Sequence, residues 1–157
     1  MKYSLTFLFC LCALFSSAQN LELNQLKSFI FKPAIEVTDT LQKKGWVVRP
    51  ELSGKKLNQL YQTFSFGHLK KEKAKARAWF RIHADNGIVN QMYYQVPGLK
   101  EYTLLLEEIK KTATERKNEQ SIEDNKLSTY YIADGYVFET TVAADSYTIM
   151  VMTDRAF

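Results

Sequence analysis

Apolar side chains recur at helical spacing between Leu21 and Lys44, first as Leu23, Leu26, Phe29 and Ile30 and then as Ala34, Val37 and Leu41, with a break at Phe31-Lys32-Pro33. The pattern predicts a pair of short helices. Pro33 suits the first position of the second helix, because its missing N–H would have had no partner there. Gly45 suits the stop, because it accepts a left-handed backbone while Lys43 and Lys44 face the negative helix end. Trp46 then opens a strand that Pro50 ends. Further on the period changes to two: Leu60, Gln62, Phe64 and Phe66 fall on one side of an extended chain, and Tyr61, Thr63 and Ser65 on the other.

Between Lys73 and Gln95 basic residues alternate with others, run into Trp79 and turn back through Asp85-Asn86-Gly87. This is a β-hairpin, and its register decides which side chains share a face. A turn of Asn86-Gly87 alone pairs Ile82 with Gln91 and Ala78 with Gln95, so neither face is cleanly apolar. A three-residue loop with Gly87 in the left-handed position pairs Ala84 with Ile88, Ile82 with Asn90, Phe80 with Met92, Ala78 with Tyr94 and Ala76 with Val96. That register is the expected one. Its other face pairs His83 with Val89, Arg81 with Gln91, Trp79 with Tyr93 and Arg77 with Gln95, which sets a Trp79–Tyr93 aromatic pair between Arg77 and Arg81.

The segment 97–111 puts Leu99, Tyr102, Leu105, Leu106 and Ile109 on one stripe, a helix of about three to four turns lying on a sheet, with Glu107, Glu108, Lys110 and Lys111 toward water. Residues 112–126 are polar apart from Ala113 and Ile122, and read as a loop leading into an edge strand. Strand composition resumes on both sides of Asp134-Gly135, a favoured hairpin turn. A last strand follows over 146–154 after a turn near Ala144-Asp145. Two helices, about four strands, one helix and three or four strands lack the alternation that builds parallel sheets. The expected fold is α+β: an N-terminal helix pair, a mainly antiparallel sheet of about seven or eight strands, and one further helix packed on the sheet. Helix, hairpin and strands occur in that order twice, which permits a pseudo-repeated design.

The N-terminus changes the setting. Lys2, an apolar run from Leu5 to Phe15 broken by Thr6, and the small residues Ser16, Ser17 and Ala18 form an export signal, with the mature chain starting near Gln19. The run falls short of the roughly twenty apolar residues of a spanning helix. The expected organisation is a signal peptide over 1–18 and a single α+β domain over 19–157, exported to the periplasm or the extracellular space, with no transmembrane segment after cleavage. Both cysteines, Cys10 and Cys12, lie in the signal, so the mature chain has neither disulfide nor thiolate zinc site and depends on packing. About 139 residues suffice for one core that removes some two-thirds of the unfolded surface from water. The whole chain carries a net charge of +4, which loss of Lys2 reduces to +3, an excess that solubility alone explains.

Motifs that carry chemistry are sparse. His68 and His83 are the two histidines. No HExxH, paired cysteines or acid-rich calcium loop accompanies them, and no metal or other cofactor is expected. Neither a GxSxG turn nor a phosphate-cradling glycine loop occurs. The adjacent acids Glu107-Glu108 and Glu123-Asp124 point apart in a helix or a strand, which suits a solvated face better than a glycosidase pair. Glu139, embedded in Tyr-Val-Phe-Glu-Thr, pairs across the sheet, faces water, or acts as a tuned carboxylate in a pocket. No catalytic residue is expected, and the chain reads as a non-enzyme.

Two readings of the basic face stand. In one, Lys71, Lys73, Lys75, Arg77 and Arg81 solvate an exposed sheet, with Trp79 covered by arginine stems or by a helix. In the other, Arg77, Trp79, Arg81 and Tyr93 form a platform for a protein or an anionic envelope component, since flat rings flanked by guanidinium groups suit a phosphate, a carboxylate-rich glycan or an acidic protein patch. Stacking aromatics also suit single-stranded nucleic acid, but an exported chain of small net charge seldom meets it, and it is not the expected partner.

The signal, the helix pair ending Lys43-Lys44-Gly45-Trp46, the hairpin strands 78–83 and 90–96, the helix 101–111 and the closing strands 136–141 and 147–152 together resemble a group of small, uncharacterised exported bacterial proteins of similar length. In element order the first half is also similar to the helix-helix-sheet modules of outer-membrane-assembly lipoproteins and of β-lactamase inhibitor proteins. Such modules bind other proteins, and the resemblance implies a binding role while supplying no catalytic residues. Phe9 and Leu11 precede the cysteines where lipoprotein processing takes a small residue, so lipid attachment is not implied. The function expected is an exported, non-catalytic binding module. The alternatives are an inhibitor or immunity-type protein that blocks an enzyme, and a hydrolase, which would need a deep pocket converging on Glu139, His68 or His83.

Overall fold

Among the described residues, three α-helices cover one face of an antiparallel sheet and leave its other face without one. The computed structural model describes residues 20–68, 76–121 and 125–154. The segment expected to be an export signal, with Cys10 and Cys12, the basic residues Lys71, Lys73 and Lys75, and the pair Glu123-Asp124 lie outside the described residues. The helices are α1 (Leu23–Phe29), α2 (Ala34–Lys43) and α3 (Leu99–Thr112). The strands are β1 (Val47–Val48), β2 (Gly54–Lys56), β3 (Gln59–His68), β4 (Ala76–Asp85), β5 (Ile88–Gln95), β6 (Glu115–Ser121), β7 (Lys126–Ala133), β8 (Tyr136–Val142) and β9 (Tyr147–Thr153), with a 3-10 turn at Pro50–Leu52.

Strand order is β1-β3-β4-β5-β9-β8-β7-β6, with β2 paired to β3 off that path. The strands β3-β4-β5 and β6-β7-β8-β9 are two antiparallel meanders joined where β5 meets β9. Helix α3 carries the chain from the middle of the sheet to its far edge. The expected α+β class is what the structure has, and the polar segment after α3 does lead into an edge strand, β6. The Asp134-Gly135 turn is formed as well, with Ala133 opposite Tyr136 and both turn residues at positive φ.

The apolar stripes read from the sequence are the buried ones. Leu23, Leu26 and Phe29 of α1, Val37 and Leu41 of α2, and Tyr102, Leu105 and Ile109 of α3 pack on Phe64, Phe80, Ile82, Met92, Tyr94, Phe138 and Val151 of the sheet. Phe80 is the centre of an aromatic cluster, its ring centroid 5.9 Å from Trp46, 6.0 Å from Tyr94, 6.1 Å from Phe29 and 6.4 Å from Phe64. Each such side chain, fully buried, contributes about 1.5–3 kcal/mol. Two details differ from expectation. Helix α2 starts at Ala34, with Pro33 as its cap residue rather than its first residue. Leu99, expected on the buried stripe, is 58 % exposed, because it stands at the first position of α3, beyond the residues that pack.

The hairpin's faces segregate as expected, but by a different register. Asn86 and Gly87, at φ +48 and +82, form a two-residue turn that pairs Asp85 with Ile88 and Ala84 with Val89. A β-bulge then leaves Asn90 unpaired, and the ladder resumes with His83–Gln91, Ile82–Met92, Arg81–Tyr93, Phe80–Tyr94 and Trp79–Gln95. The extra residue sits in the strand and not in the loop. The offset from the expected pairing is two residues, and an even offset preserves the faces, so Phe80 and Ile82 are buried while Trp79 and Arg81 lie opposite them.

At the tip the expectation fails. Ile88, assigned to the core, is 40 % exposed, and Val89, assigned to the other face, is fully buried. The cause is nonlocal. Val89 N–H donates to the Lys32 carbonyl at 2.9 Å, Phe31 N–H donates to the Val89 carbonyl at 2.8 Å, and Pro33 bridges Ile88. The linker between α1 and α2 acts as a short extra strand against this end of β5 and holds the Val89 side chain inward.

Candidate functional site

On the helix-free face the registers align side chains in rows across the sheet. One row runs Thr63, Arg81, Tyr93, Met150, Glu139, Tyr130. Flanking it are Tyr61, His83, Gln91, Met152, Val137, Ile132 on one side and Ser65, Trp79, Gln95, Thr148, Thr141, Ser128 on the other. Residues two apart along each strand share a face, which places all three rows together. This face shelters its own middle: Val137 is 1 % and Met150 5 % exposed. Over β3, β4 and β5 it holds a cavity of about 500 Å³ lined by Thr63, Trp79, Arg81, His83, Tyr93 and Gln95, with Leu52 of the 3-10 turn and Thr148 of β9.

Hydroxyl groups dock the turn that makes the cavity wall. Thr63 N–H donates to Ser53 Oγ at 2.9 Å, Ser53 Oγ donates to the Arg49 carbonyl at 2.8 Å, and Thr63 Oγ1 donates to the Leu52 carbonyl at 2.7 Å. The same Thr63 oxygen accepts from Arg81 Nε at 2.9 Å. That bond aims the guanidinium along the sheet face, 5.8 Å from the Tyr61 ring centroid. Tyr61 in turn lies against Gly54, where a Cβ would come within 2.5 Å of the tyrosine hydroxyl. Among the described residues no carboxylate pairs with Arg81. Arg49, by contrast, is bound to Glu51 at 2.6 Å, and its guanidinium lies 5.9 Å from the Trp79 ring centroid.

His83 and Tyr93 meet edge to face, with ring centroids 5.5 Å apart. Burial first, and then the Arg81 charge, hold the His83 pKa below the ordinary histidine value, so its imidazole is neutral at pH 7. The Tyr93 hydroxyl accepts from Gln91 Nε2 at 2.9 Å. Burial and then the Glu139 charge push its pKa up, while Arg81 acts in the other direction. Tyr93 therefore lies within electrostatic reach of both. Glu139 receives hydrogen bonds from Ser128 Oγ at 2.9 Å and Thr141 Oγ1 at 3.2 Å, both at Oε1. Its Oε2 has no hydrogen-bond partner, and no cation pairs with it, among the described residues.

Of the four residues expected to form a platform, Trp79, Arg81 and Tyr93 line the cavity. Arg77 shares their face but stands outside the cavity wall, its stem packed at Gly67, where a Cβ would lie 2.9 Å from Arg77 Cδ. The expected Trp79–Tyr93 pair is not formed. The bulge places Gln95 opposite Trp79 and Arg81 opposite Tyr93, and the cation over Trp79 is Arg49 from another element. His83 lines the cavity, Glu139 does not, and the His68 side chain lies outside the described residues. Sequence reasoning missed Arg49, Leu52 and Thr63. Alternation had already put Thr63 on one side of its strand with Tyr61 and Ser65, but nothing local says that this strand lies beside Arg81. Among the described residues no group of three or more His, Cys, Asp or Glu is gathered for a metal, and no helix is long and apolar enough to cross a membrane. The chain matches no protein-family model, no curated protein and no solved structure.

Proposed function

We propose that the protein is an exported, non-catalytic binding module whose helix-free sheet face holds a protein or an anionic envelope component through an oxyanion seated at Arg81. One observation carries this reading: the Arg81 guanidinium is anchored through Nε to a neutral hydroxyl, Thr63, and faces a ring-lined cavity with no carboxylate partner among the described residues. With Nε engaged, the terminal N–H groups keep the forked geometry that matches a carboxylate or a phosphate. A charge-assisted hydrogen bond in such a site contributes about 1.5–3 kcal/mol. The half-buried Trp79 and Tyr93 supply rigid apolar area beside it. Among the described residues His83 meets Tyr61 and Tyr93 by ring contacts and takes part in no hydrogen bond with a nucleophile, which favours holding a ligand over transforming it.

Trp79 is a built-in reporter, because the other tryptophan, Trp46, is 2 % exposed in the core. The test is a fluorescence titration with N-acetyl-tetraalanine, a peptide with one carboxylate and no other charge. Saturable binding that weakens about tenfold in Arg81→Gln, and less in Arg77→Gln, supports the reading. Binding that is absent, or unchanged in Arg81→Gln, refutes it.

A further inference from the structure

We propose that the ligand is dipolar: an extended peptide of about four residues lies across the strands with its carboxylate on Arg81 and its free amino group on Glu139. This deepens the Arg81 reading and rests on it. Arg81 and Glu139 are the charged members of the stretch of the row from Thr63 to Tyr130, which continues on the edge strand β6 to Lys117. Neither has an ion-pair partner among the described residues, and both are fixed by neutral hydroxyls, Arg81 by Thr63 and Glu139 by Ser128 and Thr141. They are also not bonded to each other. Each presents unused hydrogen-bonding capacity, the terminal nitrogens of Arg81 and Oε2 of Glu139.

The spacing fits a particular length. Three strand steps, from β4 through β5 and β9 to β8, separate the two backbones by about 14 Å at roughly 4.8 Å per step. An extended chain advances about 3.3–3.6 Å per residue, so four residues cover that gap and two do not. Between the charges lie Tyr93 and the buried Met150, a floor of low polarity. Gln95 and Thr148 on the flanking row offer side-chain donors and acceptors to a peptide backbone. Glu139 also argues against a polyanion, because a second negative charge would be repelled where an ammonium group would be held.

Four peptides test this: tetraalanine, N-acetyl-tetraalanine, dialanine and N-acetyl-dialanine, titrated against the wild-type protein, Glu139→Gln and Arg81→Gln. In the wild type, tetraalanine is expected to bind about tenfold more tightly than its acetylated form, the gain of one charge-assisted contact. The two dialanine forms should bind alike. In Glu139→Gln the tetraalanine advantage should vanish while N-acetyl-tetraalanine binds no more weakly than to the wild type. Glutamine can still accept from Ser128 and Thr141, and an unchanged thermal midpoint verifies that the variant is folded. Equal affinities for the two tetrapeptides in the wild type, or an advantage that survives in Glu139→Gln or extends to dialanine, overturns the Glu139 assignment. If both tetrapeptides nevertheless weaken in Arg81→Gln, the Arg81 reading stands alone. If neither binds, or neither responds to Arg81→Gln, both fall.

Discussion

Tyr94 gives the sharpest test of the packing beneath the site. It is 1 % exposed on the core face of β5, its ring 6.0 Å from both Phe80 and Trp46. Its hydroxyl is buried and, among the described residues, meets no group at hydrogen-bond geometry. Burial pushes its pKa up to about 12, with the Leu21 backbone acting against the rise and the Glu101 charge adding to it. Tyr94→Phe keeps the ring and deletes the hydroxyl. At pH 8 the variant should be more stable by about 1 kcal/mol, since an unpaired buried polar group costs roughly 1–3 kcal/mol. The alkaline limb follows from linkage. The unfolded tyrosine releases its proton near pH 10 and the folded one near pH 12, so the stabilisation is fully present below pH 10 and is lost as pH rises toward 12. At about 1.36 kcal/mol per pH unit, the wild type should lose about 1.4 kcal/mol between pH 8 and 11 that the variant keeps. Other tyrosines titrate in both proteins and cancel in the difference. Urea unfolding at pH 8, 10 and 11 measures it. A stability gap that stays constant over that range, or a variant more than 1 kcal/mol less stable at pH 8, refutes the reasoning.

Three further outcomes are expected. Phe80→Ala, emptying the centre of the aromatic cluster, should cost about 3–5 kcal/mol in urea unfolding, and a loss below 1 kcal/mol would mean that the cluster collapses freely around the gap. Deleting Asn90 should leave cooperative unfolding and the Trp79 response intact, because it removes only the bulge residue and a regular ladder then keeps Ala84 opposite Val89 and His83 opposite Gln91, and loss of either would mean that the bulge does more than set the register. His83 has a folded pKa below its unfolded value, so its contribution to stability is present above about pH 6.5 and is lost as pH falls through the lowered value. The thermal midpoint of the wild type should therefore drop more between pH 7.5 and 5 than that of His83→Gln, and parallel profiles would count against a half-buried neutral imidazole.

Elements set by local pattern were legible, and those set by distant contacts were not. The stripe Tyr102, Leu105, Ile109, the left-handed stop at Gly45 and the Asp134-Gly135 turn each need only a few neighbouring residues to specify them. The two faces of the hairpin were legible for the same reason. Alternation fixes Phe80 and Ile82 on one side and Trp79 and Arg81 on the other whichever even offset the strands adopt. The offset itself was hidden, because an extra residue in the loop and an extra residue at a bulge segregate these side chains equally well. What decides between them is a pair of backbone hydrogen bonds, Phe31 N–H to the Val89 carbonyl and Val89 N–H to the Lys32 carbonyl, between residues nearly sixty apart in the chain. The cavity wall was hidden likewise. Leu52 and Arg49 reach Trp79 and Arg81 through Thr63 and Ser53, and that depends on β3 lying beside β4.

The site and the helix layer are consequently not independent. With a regular ladder after the Asn86-Gly87 turn, Arg81 would face Met92, and Tyr93 would be turned into the core. The bulge at Asn90 is what brings Tyr93 opposite Arg81 and Tyr94 opposite Phe80. The bulge is held in place by the linker between α1 and α2, where Phe31 adopts φ +66, a conformation that costs a bulky residue on the order of 1–3 kcal/mol. The hydrogen bonds to Val89 and the burial of Leu26, Phe29, Val37 and Leu41 on either side of the linker sustain that strain. The helix pair on one face thus fixes, through three linker residues, which side chains meet on the other, and the Arg81–Tyr93–Glu139 row exists only while α1 and α2 remain docked.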